Sequence, residues 1–400
     1  MKRFFLLFEL ILFVILNANS QGWIKQESTT DSYLTSVYFI NANIGFVVGW
    51  DGVILKTLDG GNHWRSQNSN TINDLYSVYF IDSITGFSTS SHELLKTTNG
   101  GESWFIQDTS INAYLFDIHF PEKDTGFVGG AGYMLKTTDK GENWIKQKSI
   151  MASACSFWAT GSKNLFIGAD YGWIFKSTDG GENWLETNHT GFPVYIDDIF
   201  FINQDTGYAT GGGFAQGFEK GCVYKTINGG LEWSMDVAFS PDARLYSVYF
   251  VNNKIGYIVG NYGSIFKTTD AGNSWMSLNS NVENSLGSVF FIDSLTGYAA
   301  GANGTILKTT NGGISTNITG KKETMVNLFP NPVINNVIIE TKQSINNGEI
   351  FIYDINGVLI NKRKILDLIT NLDLSIMKSG SYIIKVVSNK NIDIFKLVKQ

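Results

Sequence analysis

The chain repeats one short sentence seven times, and the seventh copy lacks its ending. The sentence reads Lys-[Ser/Thr]-x-[Asp/Asn]-x-Gly-x-x-Trp. It runs from Lys56 to Trp64, Lys96 to Trp104, Lys136 to Trp144, Lys176 to Trp184, Lys225 to Trp233 and Lys267 to Trp275. The seventh copy starts at Lys308, keeps Asn311 and Gly313, and has Thr316 where Trp belongs. The missing piece stands at the other end, where Trp23-Ile24-Lys25-Gln26 repeats Trp144-Ile145-Lys146-Gln147. An open solenoid has no use for that displacement. A ring whose first strand completes its last unit requires it.

The repeated lysines step by 40, 40, 40, 49, 42 and 41 residues. A period near 40 with four strand-like runs per unit marks a propeller blade. Strand A is an apolar run such as Leu75-Tyr76-Ser77-Val78-Tyr79-Phe80. Strand B opens on Gly-[Phe/Tyr], as at Gly86-Phe87 and Gly207-Tyr208. Strand C precedes the Lys and strand D starts at the Trp. The expected fold is all-β: a seven-bladed β-propeller over residues 21–313, closed by an N-terminal strand.

The Asx position of the motif distinguishes structure from chemistry. Four copies carry Asp (Asp59, Asp139, Asp179, Asp270) and three carry Asn (Asn99, Asn228, Asn311). Calcium or catalysis would need the charge. A turn cap, accepting backbone N–H groups, takes either residue. Gly supplies the positive φ of such a turn, and the Trp a large ring to bury between blades. These positions are therefore expected to be structural.

The flanks differ from the repeat. Lys2 and Arg3 precede an apolar run over Phe4–Leu16, and Ala18-Asn19-Ser20 forms a small-x-small site, so residues 1–20 read as a secretory signal peptide. The apolar run is shorter than the ~20 residues a membrane span needs, and no later stretch is apolar enough to cross. Residues 314–324 read as a linker. From 325 to 400 short alternating strands and an Asn356-Gly357 hairpin signal predict a small antiparallel β-sandwich.

Residues 21–320 hold 17 basic and 28 acidic side chains, a net charge of −11. That balance argues against a nucleic-acid partner, whose phosphates need a basic surface. Cys155 and Cys222 occupy neighbouring repeats, either paired in an oxidising exterior or buried as free thiols. No Cys/His spacing suggests a metal, and no cofactor motif appears.

Three groups of residues are candidates for function. The B–C turns carry the aromatics Trp50, Tyr171 and Tyr262, and blade five lengthens this turn by seven residues that hold Phe214 and Phe218. Displayed aromatics suit sugar stacking or a protein hot spot; the alternative is packing on neighbouring loops. Strand A offers a ring of small polar residues along a narrow water-filled pore, aligned as Ser36, Ser77, Asp117, Ala154, Asp198, Ser247 and Ser288. Asp117 and Asp198 are its charged members. They read as paired carboxylates for glycoside chemistry, as holders of a cation, or as solvated acids of a polar pore. A sialidase needs an arginine cluster to clamp a carboxylate, and this propeller has only Arg65 and Arg244.

The motif resembles the Asp box of the bacterial neuraminidase repeat. The larger unit is similar to the propeller family of the photosystem II assembly and stability factor. That resemblance covers residues 22–313 and implies the fold; the family's Arg-rich client patch has no counterpart here. The C-terminal segment resembles the type A sorting domain of proteins exported by the type IX secretion system of Bacteroidota. Its matching residues are Pro330-Asn331-Pro332, Tyr353-Asp354-x-x-Gly357, Leu374, Ser379-Gly380-x-Tyr382 and Lys396-Leu397-Val398-Lys399. The resemblance implies the secretion machinery as partner, and a product that is released or attached to the outer surface. The reading is a secreted, non-catalytic propeller that binds a protein or glycan. A glycoside hydrolase and an envelope assembly scaffold are the alternatives.

Overall fold

A computed structural model describes residues 22–108, 113–147, 154–188, 194–213, 221–238, 244–314, 326–341, 348–354, 359–365, 367–388 and 391–400. It separates into two compact units, Met1–Asn317 and Ile318–Gln400. The expected signal-peptide residues and nearly all of the expected linker lie outside the described residues.

Seven four-stranded antiparallel sheets form the first unit. Blade one comprises Leu34–Phe39, Gly45–Gly49, Ile54–Thr57 and Arg65–Gln67, its strands A to D. Strands A of blades two to seven are Leu75–Phe80, Leu115–His119, Ala154–Ala159, Val194–Phe201, Leu245–Phe250 and Leu286–Phe291. Each strand A touches the strand A before and after it, and blade seven touches blade one, so the ring closes. Blade seven has three strands of its own and takes Ile24–Gln26 as its fourth, in the register Ile24↔Lys308, Lys25↔Leu307, Gln26↔Ile306.

Aromatic stacking joins blade to blade. The strand-B aromatic of one blade lies on the strand-A Phe of the next. Phe46 stacks on Phe80 at 4.4 Å between centroids, Phe166 on Phe201 at 4.2 Å and Tyr208 on Phe250 at 4.1 Å. Across the closure Tyr298 stacks on Phe39 at 3.9 Å. Each such pair adds ~0.5–1.5 kcal/mol beyond its buried area. The motif Trp meets that Phe edge-on, as in Trp64–Phe39 and Trp104–Phe80. Blade four moves its bulk by two positions: Ala159 stands where other blades have Phe, and Phe127 packs on Phe157 instead, at 6.0 Å.

The motif Lys staples the same joint. Lys96 is 2% exposed, covers Phe87 at 5.5 Å and donates across the joint to the Gly141 carbonyl at 3.2 Å. Lys225 and Lys267 repeat the contact with the carbonyls of Ala271 and Gly312. The second box Gly is needed for the close approach. A Cβ on Gly141 would stand 2.3 Å from Phe87, at a φ of +75°.

The second unit is a sandwich. One sheet holds Val326–Phe329, Asn336–Thr341 and Ile369–Asp373; the other holds Leu359–Ile365, Gly348–Asp354, Gly380–Ser388 and Asn391–Lys399. Alternate residues of both sheets, among them Val337, Ile339, Ile350, Ile352, Ile384 and Leu397, bury one core.

Candidate functional site

The Asp-box turns occupy one face of the propeller. In six boxes the Asx side-chain oxygen accepts the N–H four residues on: His63 to Asp59, Ser103 to Asn99, Asn143 to Asp139, Asn183 to Asp179, Glu232 to Asn228 and Ser274 to Asp270, all at 2.9–3.1 Å. In the seventh box the Asn311 amide donates to the Ile314 carbonyl at 2.7 Å. In all seven, the preceding Ser/Thr hydroxyl donates to the Asx oxygen and accepts the N–H of the second Gly, as Thr57 does for Asp59 and Gly61. Asp and Asn do one job here. The hydrogen bonds hold Asp139 and Asp179 down to about 2. Among the described residues no cluster of His, Cys, Asp and Glu is arranged to hold a metal.

The axial channel has three layers, all drawn from strands A. Each strand A carries a β-bulge near its start, between Leu34 and Ser36 in blade one and at the matching place in the other six. A bulge sets two residues against one and re-aims their side chains, and both turn to the axis here. The bulges correct the expected alignment: blade four contributes Ser156, not Ala154, because Ser156 is the residue after its bulge. The ring is therefore Ser36, Ser77, Asp117, Ser156, Asp198, Ser247 and Ser288.

This ring caps the inner edge of the blades. Strand A is an edge strand, and its inward N–H groups need partners. Ser288 accepts the Val37 N–H, Ser36 that of Val78, Asp198 that of Val248, and Ser247 that of Val289, at 2.8–3.4 Å. Asp117 accepts from Ser77 Oγ at 2.9 Å and from the N–H of Ile118 and Phe157. Burial pushes the Asp117 carboxyl up to about 6. Burial, with a contribution from the Asp117 charge, pushes Asp198 to about 8.

The residue before each ring member forms the rim of a chamber of about 140 Å³: Thr35, Tyr76, Phe116, Cys155, Asp197, Tyr246 and Gly287. Arg244 grips Asp197 with two hydrogen bonds, 2.7 and 2.5 Å, and lies over Tyr195 and Tyr246. The sequence reading missed this pair. Adjacent acids in strand A, with an Arg opening the next strand A, were its visible signal.

Two residues beyond the ring, toward the Asp-box face, every strand A presents a ring system. Tyr38, Tyr79, His119, Trp158, Phe200, Tyr249 and Phe290 touch in sequence around the axis, with centroids 4.3–5.8 Å apart, and Phe290 returns to Tyr38 at 5.4 Å. The channel is thus not the uniformly polar pore that was expected; its lower half is an aromatic collar. Burial holds His119 down to about 4, so this imidazole is neutral.

The bulged ends of strands A that wall the chamber pair with the ends of strands B that lead into the B–C turns, as Leu34 does with Gly49. Trp50, Tyr171 and Tyr262 are 47%, 52% and 66% exposed. Trp50 stacks on Tyr33 at 5.2 Å. Tyr171 and Tyr262 sit at φ +55°, the left-handed position that Asp51 and Asn303 fill in other blades. A bulky residue there costs about 1 kcal/mol or more, so the aromatics are displayed at a conformational cost. Phe214 and Phe218 lie outside the described residues. Cys155 and Cys222 are not joined by a disulfide.

In the second unit the opening and closing motifs meet. The Asn331 amide donates to the Lys396 carbonyl at 2.6 Å, and its oxygen accepts the Val398 N–H at 2.9 Å. Val333 and the last strand exchange further backbone bonds through Val398 and Gln400. Pro330 and Pro332 flank Asn331, both after cis peptide bonds. Tyr382 donates to the Lys378 carbonyl at 2.7 Å beside Gly380. Lys396 is exposed and Lys399 buried. Gly357 lies outside the described residues. Residues 327–400 match the family model of the secretion system C-terminal sorting domain.

The second unit is a sorting domain. It indicates export by the type IX secretion system to the cell surface or the extracellular space. Ahead of the sorting domain, residues 15–107 and 64–191 match the model of the photosynthesis system II assembly factor YCF48. Among solved structures, YCF48 bound to D1 peptide superposes with a TM-score of 0.61 and 17% identity, over 72% of this chain and 97% of that one. The GH74 xyloglucanase of Xanthomonas campestris gives 0.55 and 10%, over 80% and 59%. PorZ, an essential bacterial surface component of the type-IX secretion system of Porphyromonas gingivalis, gives 0.52 and 13%, over 96% and 59%. At these identities the likeness shows the fold. No curated protein matches the chain by sequence. No helix among the described residues is long and apolar enough to cross a membrane.

Proposed function

We propose that the propeller is a non-catalytic binding module that meets a polypeptide ligand outside the cell, at the face of the B–C turns. The observation that carries this reading is the axial chamber. It is of side-chain size, and polar and aromatic side chains of strands A wall it, Tyr76, Phe116 and Tyr246 among them. A polypeptide inserting one anchor residue fits such a recess better than a sugar chain, which needs a cleft. A structural neighbour binds a peptide, and another belongs to the export apparatus at the cell surface. Asp117 and Asp198 cap backbone N–H groups, as serines do in other blades, which speaks for a structural use rather than acid–base catalysis.

A glycan lying across Trp50 and Tyr262 is the second reading, favoured by their exposure. The exported full chain, applied to an array of short peptides and to a panel of immobilised polysaccharides, separates the two. Retention by peptides alone, reduced in Trp50→Ala, supports the proposal. Retention by polysaccharides alone replaces it with the glycan reading. Release of reducing ends, abolished by Asp117→Asn, would establish a glycoside hydrolase instead.

A further inference from the structure

The charges of the chamber do not balance. Three carboxylates face it, and one of them, Asp197, is matched by Arg244. Asp117 and Asp198 have only hydroxyl and backbone N–H partners, and no described cation acts on either. The ring does not need their charge, since serine serves at the other five positions. A second observation points the same way. Thr210 stands directly across the sheet from Asp198, on the same face, where paired side chains lie ~5 Å apart. It is fully buried and its hydroxyl has no hydrogen-bond partner. Its counterpart in blade two, Thr89, takes the Ser77 N–H.

We propose that the axial chamber is a pocket for one alkylammonium or guanidinium group, the side chain of a lysine or arginine in the polypeptide ligand. This rests on the reading of the propeller as a polypeptide-binding module. Carboxylates supply charge-assisted acceptors. The rim rings of Tyr76 and Tyr246 line the chamber and supply aromatic surface that attracts a cation, most strongly once it is desolvated. Among the described residues, the other titratable groups around the chamber do not oppose it. Arg244 is occupied, His119 is neutral, and burial pushes the Cys155 thiol up to about 12. The net charge of −11 over residues 21–320 draws a basic segment toward the propeller. An inserted cation also supplies the counter-charge whose absence, with burial, leaves both carboxyls easy to protonate.

The test uses the exported full chain and the tryptophan fluorescence of the propeller, where Trp158 lines the collar. The probes are Nα-acetyl-lysine methylamide and its neutral isostere, Nα-acetyl-norleucine methylamide. Saturable binding of the lysine probe is expected, at least about tenfold tighter than that of norleucine, and lost in both Asp117→Asn and Asp198→Asn. Urea unfolding of each variant shows that the fold is kept. Equal binding of both probes, no binding of either, or binding unchanged in both variants overturns the proposal. On the peptide array, retention of peptides regardless of Lys or Arg content overturns it while leaving the polypeptide reading intact. Retention of no peptide removes both.

Discussion

Asp198 ties the stability of the propeller to pH in a window where little else titrates. Its carboxyl is raised to about 8 in the folded chain, first by burial and then by Asp117. An unfolded Asp titrates near 3.9. A raised acid stabilises the fold below its unfolded value and loses that contribution as pH climbs to the folded value. The loss runs at 1.36 kcal/mol per pH decade, so roughly 2 kcal/mol disappears between pH 6.5 and 8. Asp117, raised by burial to about 6, loses most of its contribution below this span, and it is unchanged in the comparison of wild type with Asp198→Asn. His119, lowered to about 4, titrates with the opposite slope below 6.5. The capping aspartates Asp139 and Asp179 lose their contribution only as pH falls toward about 2. Cys155 and Cys222 are raised to about 12 and 11, so their thiols act above the window. Asp198→Asn keeps an oxygen for the Val248 N–H and cannot ionise. All ten tryptophans lie in the propeller, so urea unfolding followed by their fluorescence reports that unit alone. Wild type should lose about 2 kcal/mol from pH 6.5 to 9 and the variant much less, so the gap between them opens as pH rises. Parallel curves for the two proteins would refute the reasoning, because Asp198 would then be ionised throughout.

Three further outcomes are expected. Trp23→Ala removes a ring that is 1% exposed and packs edge-on against Phe291 at 5.8 Å; urea unfolding should show a loss of ~3–5 kcal/mol. Gly141→Ala drives a Cβ into Phe87 at a left-handed φ, and should lower stability by about 1–3 kcal/mol in the same assay, with the far-UV spectrum unchanged. Asn331→Ala frees the last strand of the sorting domain by two hydrogen bonds, about 1–3 kcal/mol, and should lower the amount of protein reaching the culture medium or cell surface.

The blades were legible because each is spelled out by local chemistry. The box needs Thr, Asx and Gly within five residues, and the closing strand left a Trp-Ile-Lys-Gln duplicate at the front. The aromatic collar was equally written, two residues after each polar ring member, but its meaning depends on seven strands meeting at one axis. The bulge hid the true ring. A strand read by simple alternation cannot show that Thr35 and Ser36 face the same way, and blade four, with Phe157 and Ala159 exchanging bulk, misled the alignment to Ala154. Arg244 entered the sequence reading only as a reason against a sialidase; its place just ahead of the strand A that follows Asp197 and Asp198 was the signal, and pairing across 47 residues becomes plain only once the blades sit side by side. Asn331 and the terminal strand stand 65 residues apart, and the sequence showed both motifs without their contact.

The seam of the propeller sets an order of events. Ile24 finds its partner only when Lys308 exists, so six blades and most of a seventh must be synthesised before the first strand has anywhere to go. Until then Trp23 has no Phe291 to lie against. An unsealed ring leaves the outer edge of Thr305–Thr309 without the strand that pairs with it, and Lys308 comes just ahead of the tail that addresses the protein for export. Trimming past Trp23 would leave every blade present and the circle unlatched. A few residues at the front thus act as the clasp for a ring of nearly three hundred.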